Sequence, residues 1–193
     1  MFYKPLVVLL FLFSGFFLKS QQAPCYPIKS AIIEYSLTGG SNGTETISFD
    51  KYGKLIHISK TVSFIVDGEI QVENLIFIIK NDSLFAFNTN LKTLTTYPVS
   101  ENSSHVSNHL ITDELLQTMG FLMTGTEMVA NHACDKYTSL DGTLWVWKGI
   151  VLRSSLTVMG AEVCTKAIKV MSNAQIPITK FNNPIGYNLK KNN

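Results

Sequence analysis

The stretch GTEMVANHACDKYTSLDGTLWVWKG, residues 125–149, holds a cysteine, a tyrosine and both tryptophans of the chain around one Asp-Gly pair. An Asp-Gly pair between two apolar alternating segments is typical of a β-hairpin, because the two turn residues then tolerate positive φ. A two-residue turn at Asp141-Gly142 would place Lys136 opposite Trp147 on the neighbouring strand. The stretch therefore predicts two paired strands, near residues 128–139 and 143–148.

This hairpin would place two large aromatic side chains on one face of a sheet. Trp145 and Trp147 are two positions apart, so they point the same way, together with Cys134 and Leu140. Large aromatic residues on one face are typical of a core. They are equally compatible with the wall of a groove that holds an apolar ligand, and both interpretations predict burial.

Working outward, the rest of the chain shows the same short alternating segments with turn residues between them. SFIVDGEIQV, residues 63–72, repeats the Asp-Gly hairpin signal, and KYGK at 51–54 marks another turn. Further strands are predicted near residues 31–37, 70–80, 83–89, 92–98, 150–158 and 161–172. The pattern favours a mainly β (α+β) fold, built as one strongly curved antiparallel meander or unclosed half-barrel.

One predicted strand requires cover on both faces. Residues 75–79 (LIFII) are apolar on both sides of the pleat. The predicted cover is a helix over 112–123, because Thr112 suits the N-cap and two acidic residues follow it. The helix would act as a lid over the sheet, while residues 100–111 form a polar loop. The predicted ligand-contacting side chains are Trp145, Trp147, Cys134, Leu140, Phe77, Leu116 and Met119.

The first twenty residues have the pattern of a cleaved secretory signal. Lys4 precedes an apolar run from Leu6 to Leu18, which is shorter than the roughly 20 residues that a membrane-spanning helix needs. Cleavage is expected after Ser20, with a cut after Ala23 as the alternative. A lipid anchor on Cys25 is disfavoured because Ala-Pro, and not two small lipobox residues, precedes it. The prediction is a periplasmic or secreted protein without an integral membrane span.

Charge argues against a nucleic-acid partner. The chain has 16 Lys+Arg and 14 Asp+Glu, and removal of Lys4 and Lys19 with the signal would equalise the two. A neutral mature chain provides no basic surface of the kind that binds nucleic acid. Residues 21–193 are long enough for one domain with its own core.

The cysteines and histidines do not form a recognisable catalytic or metal site. The three cysteines (Cys25, Cys134, Cys164) allow at most one internal disulfide, whose pairing stays open, and their spacing does not suit zinc. His105 and His109 are four apart but lie in a Ser/Asn-rich segment. No P-loop or G-x-G-x-x-G motif occurs. We therefore predict a protein that is not an enzyme and that needs no cofactor or metal.

Several segments together resemble a group of exported proteins of Gram-negative envelopes that have a LolA/LolB-like (lipoprotein carrier) fold. These segments are GTEMVANHACDKY (125–137), GTLWVWKGIVL (142–152), KVMSNAQIPITKFNNP (169–184) and the turn FDKYGK (49–54). The resemblance implies an unclosed half-barrel whose concave face can hold acyl chains. Arg153, the only arginine, lies in the late strands, so it does not correspond to the functional arginine of the carriers. Asn131 stands where the group usually has a glycine.

Two functions follow as expectations. The first is an exported non-enzymatic protein that binds a lipid or lipoprotein acyl chain in the concave face of the half-barrel. The alternative is an envelope protein-interaction or sensor module, which has a filled core and no ligand. A helix that seals a solid core, with apolar surface left on an exposed edge or loop, would favour the alternative.

Overall fold

The computed structural model describes residues 26–98, 111–158 and 160–189. The predicted signal (1–20), Cys25, His105 and His109 lie outside these ranges, as does nearly all of the loop predicted at 100–111. Within the described ranges, no helix is long and apolar enough to cross a bilayer. The elements are β1 (Ala31–Gly39), β2 (Asn42–Asp50), β3 (Leu55–Val66), β4 (Glu69–Lys80), β5 (Ser83–Asn88), β6 (Thr93–Pro98), α1 (Asp113–Thr118), β7 (Leu122–Val129), β8 (His132–Ser139), β9 (Gly142–Trp147), β10 (Ile150–Val158), β11 (Ala161–Ser172) and β12 (Asn188–Leu189).

The strands form one 12-stranded sheet in the order β12-β6-β5-β4-β3-β2-β1-β11-β10-β9-β8-β7. All pairs are antiparallel except β12, which adds to β6 in parallel. The prediction of a mainly β, unclosed antiparallel sheet is confirmed. Its order is that of two meanders, β1–β6 and β7–β11, which are joined where β1 pairs with β11.

The second meander is strongly curled. Strands β7 and β11 approach each other within 8 Å between Cα atoms, although three strands separate them in the sheet. A flat sheet would hold them roughly 19 Å apart, at about 4.8 Å per strand. The concave face produced by this curl carries the main core, which joins Tyr35 of β1 to Cys134 of β8 and Trp145 of β9. The curvature expected from the sequence is therefore present.

Helix α1 begins as predicted but is half the expected length. Thr112 accepts a hydrogen bond from the Leu115 N–H, so it is the N-cap. Gly120 ends the helix in the left-handed region (φ +74°), where glycine is favoured. The Phe121 N–H then bonds the Leu116 carbonyl, which closes the end of the helix. Residues 119–123, assigned to the helix from sequence, instead form this C-terminal turn and the start of β7.

The prediction that α1 forms a lid over the sheet face with Trp145 and Trp147 is wrong. Leu116 and Phe121 pack against Leu144, Val146 and Val151, which point to the face opposite Trp145. Alternation along β9 explains the result, since residues 144 and 146 face away from residues 145 and 147. We call this side of the sheet the convex face. The helix covers the convex face of β8–β10, and the concave core is formed without it.

The doubly apolar strand β4 is covered by a different element. On its convex side lies the C-terminal segment, where a short 3-10 helix (Ile178–Phe181) contacts β3 and β4. Phe181 is buried, and its carbonyl accepts a hydrogen bond from Lys80 Nζ at 3.0 Å. Tyr187 packs edge-on against Phe87. Residues 188–189, at the end of the described chain, form β12.

The hairpin between β8 and β9 has a register two residues away from the predicted one. Ser139 pairs with Gly142, so Leu140 and Asp141 form the turn and Trp145 lies opposite Lys136. Gly142 is not a turn residue but the first residue of β9. A Cβ on it would meet the Ser155 carbonyl oxygen at 2.1 Å, so the close approach of β10 explains the glycine. A shift of two residues keeps the predicted faces and changes every cross-strand neighbour.

Candidate functional site

Trp145 lies at the centre of a charged cluster on the concave face. Its indole N–H donates to Glu127 Oε2 at 2.8 Å, and Glu127 Oε1 accepts a hydrogen bond from Arg153 at 3.3 Å. Lys136 Nζ lies 3.9 Å from the same carboxylate. We refer to Glu127, Lys136, Trp145 and Arg153 as the indole cluster. It joins β7, β8, β9 and β10, so it holds the edge of the curled meander to its interior.

Both cations of the indole cluster also contact the ring itself. The Arg153 guanidinium lies 4.1 Å from the Trp145 ring centroid, and Lys136 Nζ lies 5.4 Å from it. Cation–π contacts of this kind contribute about 0.5–1 kcal/mol each when exposed. A β-bulge between Val151 and Arg153 allows the arginine to pair with Trp145. Trp145 retains only 5% of its surface exposed.

Trp147 occupies a more open position on the same face. It is half-buried, packs edge-on against His132 at 4.3 Å between ring centroids, and lies under Lys148 Nζ at 5.3 Å. The sequence-based register assigned Lys136 to this ring. In the observed register Lys136 makes its cation–π contact with Trp145, and Lys148, the residue after Trp147, makes the contact with Trp147.

The Cys134 thiol lacks the features of a reactive cysteine. Its side chain is fully buried, and its Sγ donates to the His132 carbonyl at 3.4 Å. Burial raises the pKa of the Cys134 thiol to about 11, so the thiolate is scarce at neutral pH. His132 Nδ1 lies 2.7 Å from the Ala130 carbonyl oxygen, and among the described residues no hydrogen bond joins the imidazole to the Cys134 sulfur. The two residues therefore do not form a nucleophile–base pair.

Tyr35 joins the two meanders inside the concave core. Its hydroxyl donates to the Val151 carbonyl at 3.1 Å, which links β1 to β10 across β11. Burial raises the pKa of Tyr35 well above its ordinary value, with smaller contributions from Tyr26, Glu45 and Cys134. Tyr26 stacks on Phe49 at 4.0 Å between ring centroids, and both belong to the same core. The middle of the concave face is thus filled by the protein's own aromatic residues.

The seven predicted ligand-contacting residues do not form one site. Trp145, Trp147, Cys134 and Phe77 do belong to the concave core or pack against it. Leu116 belongs to the separate cluster on the convex face. Met119 is half exposed at the end of α1, and Leu140 is fully exposed at the hairpin turn. Leu140 was misplaced because the predicted register put it in a strand.

The structure also contains a cavity that the sequence did not indicate. It has a volume of about 660 Å³ and lies where β1 begins, β2 ends and the chain leaves β11. Its lining includes Lys29, Asp50, Asn173 and Gln175, and none of the predicted ligand-contacting residues. Among the described residues, no three His, Cys, Asp or Glu side chains are grouped so that they could hold a metal ion.

The most exposed apolar strand residues of the first meander lie at the tip of the β3–β4 hairpin. Asp67 and Gly68 both have positive φ (+52° and +83°), and Val66 pairs with Glu69, as the sequence predicted. Strand β2 pairs with β3 only as far as Ser63, and β5 pairs with β4 only from Leu75 onward. Residues 64–73 therefore form a two-stranded ribbon that extends beyond the rest of the sheet. We call these residues the hairpin tip.

Apolar side chains cover one side of the hairpin tip. Ile65 and Ile70 form a directly opposed pair, each with 74% of its surface exposed. Val72, two residues from Ile70, is also exposed. Asp67, Glu69 and Glu73 are the charged residues of the tip, and no lysine or arginine occurs between residues 61 and 79. The alternation was readable from sequence, but the exposure was not, because it depends on where β2 and β5 end.

Comparison with solved structures shows the fold at low sequence identity. The chain superposes on an uncharacterized conserved protein from Thermus thermophilus with a TM-score of 0.51 and 10% identity, covering 86% of this chain and 91% of that one. It superposes on MucB with a TM-score of 0.50 and 12% identity, covering 86% of this chain and 61% of MucB. It also matches the Pseudomonas aeruginosa MucA/MucB complex, with a TM-score of 0.48, 12% identity, and 82% and 57% coverage.

The MucB structure with the TM-score of 0.50 is consistent with the LolA-like fold that the sequence segments suggested. At such low identity the likeness extends to the fold alone, and this chain spans less than two thirds of MucB. No protein-family model matches the sequence, and no curated protein matches it significantly.

Proposed function

We propose that this chain is an exported, non-enzymatic protein of the cell envelope that binds another protein through the hairpin tip. One observation carries the proposal. The concave face, where an acyl chain would lie in a carrier, is filled by a core that includes the fixed indole of Trp145. The exposed apolar pair Ile65–Ile70 instead lies on a ribbon that extends into solvent. Apolar surface that projects from a fold marks an interaction site.

The chemistry of the hairpin tip specifies the kind of partner. Two opposed isoleucines and a valine suit an apolar groove. Asp67 lies at the turn and Glu69 and Glu73 point to the opposite face, so a partner that also contacts the turn or that face would suit these carboxylates with basic side chains. Burial of both isoleucines in a partner would contribute roughly 2–4 kcal/mol, because 74% of each is exposed and full burial contributes about 1.5–3 kcal/mol per side chain. An anionic membrane surface fits less well, because it would repel the same carboxylates.

The absence of a catalytic function belongs to the same proposal. The Cys134 thiol is buried with a raised pKa, and the His132 ring is engaged elsewhere. The one carboxylate of the indole cluster, Glu127, is shared by Lys136, Arg153 and the Trp145 indole, so we assign the cluster a role in rigidity. We therefore assign the envelope protein a binding role.

Site-specific crosslinking in the source cells tests this proposal. A photo-reactive amino acid at Ile70 should give a discrete crosslinked protein band, and the same group at the exposed Leu140 should not. An Ile65→Ser substitution should weaken the band at position 70 while leaving the thermal unfolding temperature within a few degrees of the wild type. Crosslinking to lipid, or equal crosslinking from positions 70 and 140, would contradict the proposal.

A second candidate, acyl-chain binding in the concave face, is favoured by Trp147 and Phe77. Both pack on the rim of the core and stay only partly buried, so a chain could lie across them. Titration with fatty acids and lipopeptides, followed by tryptophan fluorescence, distinguishes the candidates. Acyl binding predicts a saturable change that Trp147→Phe removes, whereas a filled core predicts no change.

A further inference from the structure

The two edges of the sheet differ in how far they are covered by another strand. At one end, the last described residues return as β12 and cover β6. At the other end, β7 pairs with β8 on one side, and no described strand pairs with its other side. Seven of the eight residues of β7 are exposed. An edge strand of this kind presents backbone N–H and C=O groups to which another extended strand can bind.

Strand β7 has few of the features that protect an edge strand. Its sequence, LMTGTEMV, contains no lysine, arginine or proline, and its one charge is Glu127, which is held by the indole cluster. Leu122, Met123 and Met128 are exposed by 72%, 58% and 63%. The one protective feature is a β-bulge between Met123 and Gly125. Exposed apolar residues on an unpaired edge strand therefore indicate that another strand binds there.

The strand is complementary to a second copy of itself. Two β7 strands related by a two-fold axis at Thr126 would pair Thr126 with its own copy. Because the bulge adds one residue to each strand, Met123 would then lie opposite Met128 and Leu122 opposite Val129. Gly125 would lie opposite Glu127, so no like charges meet. The bulge would occur twice, at symmetric positions. In a closed two-fold dimer both copies use the same surface, which this near-palindromic pattern allows.

We propose that two copies of this chain associate through β7, antiparallel and in this register, to form one continuous sheet across the dimer. An eight-residue strand pair is small beside a standard interface of about 1,600 Å², so the dimer is weak and reversible. We expect a Kd on the order of 10 µM, near −7 kcal/mol.

Sedimentation velocity of the purified chain, with its leader processed by the export machinery, tests the dimer over roughly 1 to 500 µM. Wild type should shift from monomer to dimer across this range. Met123→Lys/Met128→Lys should raise the Kd at least tenfold, because each lysine then meets a lysine. Met123→Glu/Met128→Glu should do the same. An equimolar mixture of the two variants should form a heterodimer that is tighter than either homodimer.

The same charge changes at Leu140, Leu140→Lys and Leu140→Glu, provide the matched control, because Leu140 is exposed at a different turn. These variants should dimerise like the wild type. Circular dichroism verifies the fold of every variant, and Met128→Lys alone replaces the double variant if the latter unfolds. A wild type that stays monomeric at 500 µM, or a charged pair that dimerises normally, overturns the proposal. Failure of the mixture to associate overturns the register. The hairpin tip lies on β3 and β4, so the outcome of the dimerisation experiment on β7 does not decide the proposed protein-binding function.

Discussion

His57 should make the stability of this fold depend on pH between 7 and 5. His57 lies on β3 and is only 8% exposed beneath the C-terminal segment. Its Nδ1 is buried without a hydrogen-bond partner among the described residues. Burial, with the nearby Lys180 charge as the second cause, lowers the pKa of His57 from 6.5 to about 4.

The direction and size of the effect follow from this shift. The unfolded chain binds a proton near pH 6.5 while the folded chain resists it down to about pH 4, so stability is lost as the pH falls through this window. The full shift corresponds to about 3 kcal/mol, of which about 2 kcal/mol is lost between pH 7 and pH 5. Few carboxylates titrate above pH 5, so this interval mostly reports histidines.

Urea unfolding of the wild type and of His57→Leu at pH 7 and pH 5 measures the effect. The wild type should lose about 2 kcal/mol more than the variant between the two pH values. Lys180→Gln should reduce the loss, because it removes the neighbouring positive charge. An identical loss in the wild type and in His57→Leu would refute the reasoning, since the other histidines are common to both.

Three further predictions concern packing and reactivity. Leu116→Ala should destabilise the fold by about 2–4 kcal/mol, because Leu116 is the buried anchor of α1, whereas Leu115→Ala on the exposed side should cost under about 0.5 kcal/mol in urea unfolding. Gly142→Ala should lower the melting temperature strongly, because an added Cβ meets the β10 backbone at 2.1 Å. Cys164, which is partly exposed, should react with a thiol reagent in the native state, and buried Cys134 should react only after unfolding.

Each of these predictions has a clear contrary result. Equal destabilisation by the two leucine substitutions would mean that α1 is not anchored through Leu116. An unchanged melting temperature for Gly142→Ala would mean that β9 and β10 lie further apart there. Equal rates of thiol modification would mean that the concave core opens readily in the native state.

The two Asp-Gly pairs show where local sequence signals succeed and fail. Asp67-Gly68 forms the predicted turn, and an added Cβ on Gly68 would meet no atom within 4 Å. Asp141-Gly142 carries the same signal, but its glycine is required by contact with β10. The Asp-Gly dipeptide alone does not reveal that β10, which follows later in the chain, packs against Gly142. The predicted β8–β9 register was therefore wrong by two residues.

The faces of the elements were harder to predict than the elements themselves. Alternation correctly placed Trp145 and Trp147 on one side of β9, and the capping pattern correctly began α1 after Thr112. Which side of the sheet α1 would cover depends on tertiary packing, because Leu144 and Val146 offer it a second apolar face. The indole cluster was missed because Glu127 and Arg153 meet only once the bulge and the observed register are known.

The pairing of β1 with β11 sets the order in which this protein can fold. Each meander is built from hairpins between sequence neighbours, which close quickly, but Ala31 finds Ser172 only after almost the whole chain is present. We therefore expect assembly of the two halves to be the slow kinetic step, and one side of β1 stays open to wrong partners until synthesis is nearly complete. A chain truncated before β11 would leave that side open permanently and would be expected to aggregate.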